Sequence, residues 1–219
     1  MKTKIYIFSF FSLNDGLINY WSFTNNVYDS VGSAHLFNGL NAMLTNDRFN
    51  RPNSALDLNS GYYQAPNGVY FNTTFSITAW FYARQISIGE PLIDFGFIHS
   101  GFPNIMLYLT YTSSRSPLVR ITDVSGNRYQ IVPNLPTPLF SWTHMVSTFN
   151  GSFLNLHLNG TLVGSTPSAY PTNIVRTSNF IGKSYLNSNP MANAIFDEIR
   201  FYNRVLSQTE IKQLMSINV

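Results

Sequence analysis

The stretch N-A-I-F-D-E-I-R-F-Y-N-R-V-L-S-Q-T-E-I, Asn193 to Ile211, changes period half-way along. Its first half alternates, with Ile195, Asp197, Ile199 and Phe201 on one side of a strand and Phe196, Glu198, Arg200 and Tyr202 on the other. Its second half starts a helix. Ser207 and Glu210 stand at capping-box spacing, and Leu206 ahead of the cap can pack on Ile211 as a hydrophobic staple. The alternation places Asp197 among apolar residues. A carboxylate turned toward a core needs a hydrogen bond, a countercharge or a metal, which makes Asp197 a candidate functional residue.

Upstream, the two-residue period recurs. Phe75, Ile77, Ala79 and Phe81 form an apolar face, leaving Thr78, Trp80 and Tyr82 opposite. Composition and period predict further strands at 92–95, 105–111, 118–122, 129–132, 142–149, 153–158, 161–164, 179–181 and 194–202. Ser125-Gly126-Asn127, Asn150-Gly151 and Asn159-Gly160 mark the turns between them. Short strands at this spacing, with one helix at the C-terminus, predict an all-β antiparallel two-sheet sandwich. No internal repeat or linker divides residues 16–219, which read as one domain behind an apolar segment at 1–15.

The 219 residues are 44% hydrophobic and 16% aromatic, enough to bury a single core. Only 11% are charged, against roughly 25% in ordinary globular domains. Asn, Ser and Thr therefore carry the polar surface, as suits an extracellular or assembled protein. The net charge of +3 comes without a Lys/Arg run, and Arg115, Arg120 and Arg128 read as scattered over separate strands, so no nucleic-acid footprint is present. The absence of cysteine removes disulfides, thiol nucleophiles and cysteine zinc sites.

Met1-Lys2-Thr3-Lys4 precedes an apolar, β-prone run in which Ile5, Ile7, Phe8 and Phe10 stand out. It has two readings: an export signal, or an added edge strand able to pair with a neighbouring copy. Nowhere does the chain reach the roughly 20 apolar residues of a membrane-spanning helix.

Several segments, from about Gly16 to Leu214, carry a resemblance. Asp197-Glu198-Ile199-Arg200-Phe201-Tyr202-Asn203-Arg204, with Leu206-Ser207 and Glu210-Ile211 behind it, is similar to the closing strand and helix of the laminin G-like, concanavalin A-like lectin/glucanase superfamily. Ile18–Phe23 with the turn Asp29-Ser30-Val31-Gly32 looks like that family's opening strand and turn. Arg48 through Leu58 and Tyr63, Phe75–Phe81, Trp142-Thr143-His144 and Leu156–Gly160 follow in the family's order. The resemblance implies a jelly-roll sandwich. Its motifs are mostly packing motifs, so they speak for architecture more than for activity.

The superfamily also contains glucanases, and a retaining glycosidase needs two carboxylates about 5 Å apart. The only glutamates are Glu90, Glu198 and Glu210. Alternation sends Asp197 and Glu198 to opposite faces of their strand, so no catalytic pair is expected. His144 and His157 become neighbours if their strands pair, but no third metal ligand accompanies them. No nucleophile elbow or phosphate-binding loop is present.

The resemblance implies a possible calcium ion, with Asp29 and Asp197 as the matching acids; the alternative is an Asx-type turn at Asp29 and backbone bonds to Asp197. Trp80, Tyr82 and Tyr185 are candidate sugar-stacking rings, with core packing as the alternative. Arg176 and Lys183 near the Tyr185 loop are candidate anion grips. Asn72, Asn150 and Asn159 open N-x-S/T sequons and are candidate glycosylation sites.

The expectation is a non-catalytic extracellular adhesion or recognition module that binds glycan or protein. A self-associating subunit of a matrix, coat or filament, built through Ile5, Ile7, Phe8 and Phe10, is the alternative. A glycan-active hydrolase is third.

Overall fold

The computed structural model describes residues 12–85, 87–98 and 102–217. The first strands are β1 (Leu17–Trp21), β2 (Phe37–Thr45), β3 (Ala55–Gln64) and β4 (Phe75–Ala83). They are followed by β5 (Glu90–Gly96), β6 (Asn104–Thr110), β7 (Leu118–Thr122) and β8 (Arg128–Ile131). The chain continues through β9 (Trp142–Phe149), β10 (Phe153–Leu158), β11 (Thr161–Pro167), β12 (Ser178–Ile181) and β13 (Ala192–Tyr202), and ends in helix α1 (Gln208–Ser216).

All strand pairings are antiparallel, in the spatial order β11-β10-β9-β4-β13-β3-β12-β5-β6-β7-β8, with β1 added to β13 and β2 to β3. The ladder folds over on itself as a jelly-roll sandwich, and its far strands meet. At that closure Gly164 of β11 lies against Ile131 of β8, where a Cβ would collide with the isoleucine side chain.

The core lies between the two inner faces. Phe75, Ile77, Ala79 and Phe81 of β4 point into it, as their alternation predicts, and meet Ile93, Phe95, Ile105, Leu107, Val119 and Ile121 from the facing strands. Phe201 is its aromatic hub, with ring centroids at 5.0 Å from Phe71, 5.1 Å from Trp21 and 5.3 Å from Phe95.

Two local departures from the expected pattern matter. β2 was absent from the expected strands because F-N-G-L-N-A-M-L-T has no alternation; most of it is exposed, and it forms an edge paired to β3 with two register shifts. In β13 the alternation breaks at Glu198, whose φ of 55° and adjoining register shift form a bulge. Ala194 and Phe196 face the core before it, and Ile199 and Phe201 after it. Asp197 therefore does not share a face with Ile199 and Phe201. It lies on the outer side of the sheet with Ile195.

That outer side is covered. Helix α1 lays Ile211 and Leu214, with Leu206 before it, on Val146 and Tyr202, and the expected capping box between Ser207 and Glu210 is formed. The turn after β2 brings Arg48 over Trp80, 4.9 Å from the ring centroid. A polar layer is thus buried outside the main core.

Candidate functional site

The outer face of the other half of the ladder carries a second set of polar side chains. Register aligns Phe180, Asp94, Met106, Arg120 and Gln130 in one row across β12, β5, β6, β7 and β8. The neighbouring row runs Gly96, Asn104, Thr122 and Arg128. Arg120 and Arg128, which read in the sequence as scattered, therefore share one face and sit diagonally across the β7–β8 hairpin. The hairpin turn and the two-residue period carried that signal.

A cleft of about 230 Å³ opens on this face, bordered by Tyr108, Tyr111, Tyr185, Arg120, Arg128 and Asn189 among others. Its floor is held by a hydrogen-bond chain. Asn189 Nδ2 donates to Tyr108 Oη at 3.0 Å, Tyr108 donates to Ser184 Oγ at 2.8 Å, and Ser184 donates to Asp94 Oδ2 at 2.9 Å. Asp94 also accepts from Asn104 Nδ2 at 3.0 Å and from the Tyr185 N–H at 3.3 Å. Burial pushes the Asp94 carboxyl up to about 6, against the pull of those donors and of Arg120. Asp94 thereby anchors the loop that presents Tyr185. Tyr185 in turn stacks on Phe102, with centroids 5.2 Å apart and planes 20° apart.

Arg120 is 7% exposed. Its guanidinium donates to Gln130 Oε1 at 2.9 Å and to Tyr111 Oη at 2.6 Å, and lies 4.8 Å from the Tyr111 ring centroid. Rings, an amide and guanidinium groups thus converge on one opening, and no Asp or Glu lines it.

A larger groove of about 680 Å³ crosses β2, β3 and β13. It has no aromatic ring, and its cation, Arg84, is already bound to Asp57 at 2.6 Å, Leu58 O at 2.7 Å and Asn193 Oδ1 at 2.9 Å. It offers a ligand amides but no stacking surface.

Of the expected stacking rings, Tyr185 lies on the cleft and the other two do not. Trp80 is 8% exposed, packed between Arg48 and His144, so it is no stacking platform. Tyr82 is half-buried on the opposite sheet, 5.8 Å from Trp142 and 6.5 Å from Phe140. Of the expected anion grips, Arg176 is buried, and Lys183 caps Tyr62 and Phe180 at 4.9 and 5.0 Å.

The calcium expectation meets one fully occupied carboxylate, Asp29, and one, Asp197, that is bound through a single oxygen. Asp29 accepts from the N–H groups of Tyr20, Val31 and Gly32 through Oδ1, and from Asn19 Nδ2 and the Ala34 N–H through Oδ2. Burial alone would raise its pKa, but those donors hold it below the usual range. Asp197 pairs with Arg48 at 2.5 Å. A cation at Asp29 would face five N–H donors rather than oxygens, and at Asp197 it would face a guanidinium. These residues do not fit the ion, and no group of three or more His, Cys, Asp or Glu side chains gathers among the described residues.

The bulge at Glu198 also corrects the expectation for the acidic pair. Asp197 and Glu198 enter the same buried layer instead of opposite faces, but each is paired, Asp197 with Arg48 and Glu198 with Arg200 and the Tyr20 hydroxyl. His144 and His157 do fall on this one side. Burial, then the charges of Arg200 and Arg48, push His144 down to about 3.

Asn72, Asn150 and Asn159 are exposed. Asn150 Oδ1 closes its turn on the Ser152 and Phe153 N–H groups, and Asn159 Oδ1 accepts from the His144 N–H. Ile5, Ile7, Phe8 and Phe10 lie outside the described residues. Among the described residues no helix is long and apolar enough to cross a membrane.

Solved structures share the architecture. Domain 4 of AbnA, a GH43 extracellular arabinanase from Geobacillus stearothermophilus, in complex with arabinotriose, superposes with a TM-score of 0.72 at 18% identity, over 90% of this chain and 97% of that one. The binding domain of Paraclostridial Mosquitocidal Protein 1 gives 0.69 at 18% identity, with the chain spanning 93% of itself and 52% of that domain. Trypanosoma rangeli sialidase in complex with 2,3-difluorosialic acid gives 0.67 at 21% identity, over 91% of this chain and 32% of the enzyme. At these identities the likeness is one of fold. No curated protein matches the chain by sequence. The sequence profile of one family matches residues 57–212, from the start of β3 into α1, and on that match the chain belongs to the concanavalin A-like lectin/glucanases superfamily.

Proposed function

We propose that the protein is a non-catalytic recognition module, working outside the cell, that binds glycan in the cleft between the β6–β7 face and the Tyr185 loop. One observation carries this reading: Tyr111 and Tyr185 supply aromatic surface at the same opening where Arg120, Arg128 and Asn189 supply hydrogen-bond donors. A sugar ring presents an apolar face and a rim of hydroxyls, and a site combining stacking surface with a few fixed polar groups meets both. The cleft falls short of the roughly 300–1,000 Å³ of drug-sized pockets, so it suits one ring of a chain.

Hydrolysis is the weaker reading because both glycosidase mechanisms require a pair of carboxyl groups flanking the bond. Asp94, beneath this cleft, is buried with both oxygens bound from within the protein, and Glu90, next to Gly89 at its border, is buried and accepts from the Asn193 and Ser87 N–H groups. The 90% and 97% coverage shared with an arabinanase domain in complex with arabinotriose supports a glycan ligand. That arabinanase is extracellular, which supports the location.

Retention of the protein on a panel of immobilised polysaccharides tests the reading. Retention that Tyr185→Ala weakens at least tenfold, with an unchanged melting temperature, is the expected result. Failure to bind any glycan, or binding indifferent to Tyr185→Ala, overturns it.

A further inference from the structure

Resting on that reading of the cleft, we infer that its ligand is an acidic sugar, one whose ring carries a carboxylate or a sulfate. The inference comes from a charge imbalance built into the site. Two guanidinium groups border the opening, while no Asp or Glu lines it.

Neither arginine has a carboxylate partner. The partners of Arg120 are Gln130 Oε1, Tyr111 Oη and, at 3.8 Å, Met106 Sδ, all uncharged. An arginine has five N–H donors, so the fork keeps donors in hand after these three bonds. Arg128 is exposed, and its side chain has neither an ion pair nor a hydrogen bond among the described residues. Two acids close to them in register or sequence are otherwise occupied. Asp94 is held beneath the cleft by Asn104, Ser184 and Tyr185. Asp123, in the turn that precedes Arg128, has its oxygens bound by the Ser125 and Asn127 N–H groups and by Asn127 Nδ2.

Of the seven other arginines, Arg48, Arg51, Arg84, Arg200 and Arg204 each lie against an Asp or Glu. Among the described residues Arg115 and Arg176 do not, and neither borders the cleft. Asp94, in the same transverse row with Met106 between, feels the charge of Arg120 but makes no ion pair with it, so the guanidinium is not neutralised by direct contact. Here the Tyr111 ring and Gln130 orient its fork, and Arg128 on the adjacent strand adds a second positive charge to the same face. A planar fork fixed in this way matches the two oxygens of a carboxylate or two of a sulfate, which a lysine would meet only as a point charge.

The test is a glycan array of matched pairs. Galacturonate-, glucuronate- and sialate-bearing oligosaccharides are each printed beside their carboxyl-reduced forms, and sulfated ones beside their desulfated forms. The expected result is at least tenfold tighter binding to the acidic member of one kind of pair, and the arm showing it identifies the oxyanion. Arg128→Gln should remove that preference, and Arg120→Lys should lower acidic binding with an unchanged melting temperature. Equal binding to both members of every pair overturns the acidic-sugar inference and leaves glycan binding standing. Acidic preference that survives both substitutions places the anion elsewhere and also overturns it. No binding to any sugar overturns both readings.

Discussion

Removing Arg48 should destabilise the protein by an amount that grows with pH. Asp197 is 1% exposed. Burial, then the neighbouring Glu198, push its carboxyl from 3.8 up to about 7 even with Arg48 opposing. The sign follows from linkage. Between 3.8 and about 7 the folded state keeps a proton that the unfolded chain has released, so stability falls as pH rises through that window and levels off above it.

In Arg48→Met the opposing charge is gone and the Asp197 pKa climbs further. The variant therefore keeps losing about 1.4 kcal/mol per pH unit above 7, where the parent no longer does. At pH 5.5 Asp197 is protonated in both proteins. The variant then loses only the hydrogen bonds of Arg48 to Asp197 and Ile217 O and its contact with the Trp80 ring, together about 1–2 kcal/mol. At pH 8.5 the additional titration of about 2 kcal/mol brings the cost to about 3–4 kcal/mol, within the range for breaking a buried ion pair.

Urea unfolding of parent and variant at pH 5.5, 7 and 8.5 measures this. The pair Asp197→Asn and Arg48→Met/Asp197→Asn is the control, in which the pH dependence of the Arg48 effect should vanish. A cost that is the same at pH 5.5 and 8.5, or a pH dependence that persists without the carboxylate, would refute the assignment of this pair.

Chelator should leave the melting temperature unchanged, and added calcium should not raise it, because N–H groups surround Asp29 and Arg48 holds Asp197; a rise under excess calcium would show a bound ion by mass action. Gly164→Val should cost about 1–3 kcal/mol in chemical denaturation, since its side chain must enter the space of Ile131 where β11 meets β8; a neutral result would mean that this contact yields freely. Ser207→Ala should cost about 1 kcal/mol by removing the side-chain acceptor of the Glu210 N–H. The loss should appear as faster amide exchange in α1.

The architecture was legible in the sequence because strand faces follow a period that few contacts can override. The observed β7, β9 and β10 have the expected bounds, and the other expected strands shift by one to three residues at an end. What escaped has identifiable physical causes. β2 is exposed over most of its length, with Ala42 and Leu44 packed on the core only near its end, so no sustained apolar period marks it. Asp197 was assigned to the wrong face because one residue at positive φ, Glu198, reverses the pleat, and Glu is not a residue type that signals such a conformation. Trp80 and Arg48 lie far apart in sequence, so their contact could not be read locally.

The cleft is the instructive case. Tyr185 is among the candidate rings of the sequence, yet Arg120 and Arg128 are scattered along the chain and become neighbours only across the hairpin. Pairing Val119 with Ile131 and Thr122 with Arg128 turns two isolated cations into neighbours on one face. In a sandwich the unit of a surface site is the transverse row, one residue from each strand. The sequence signal for such a site is therefore turn position combined with parity, and a binding residue can stand out without any local motif around it.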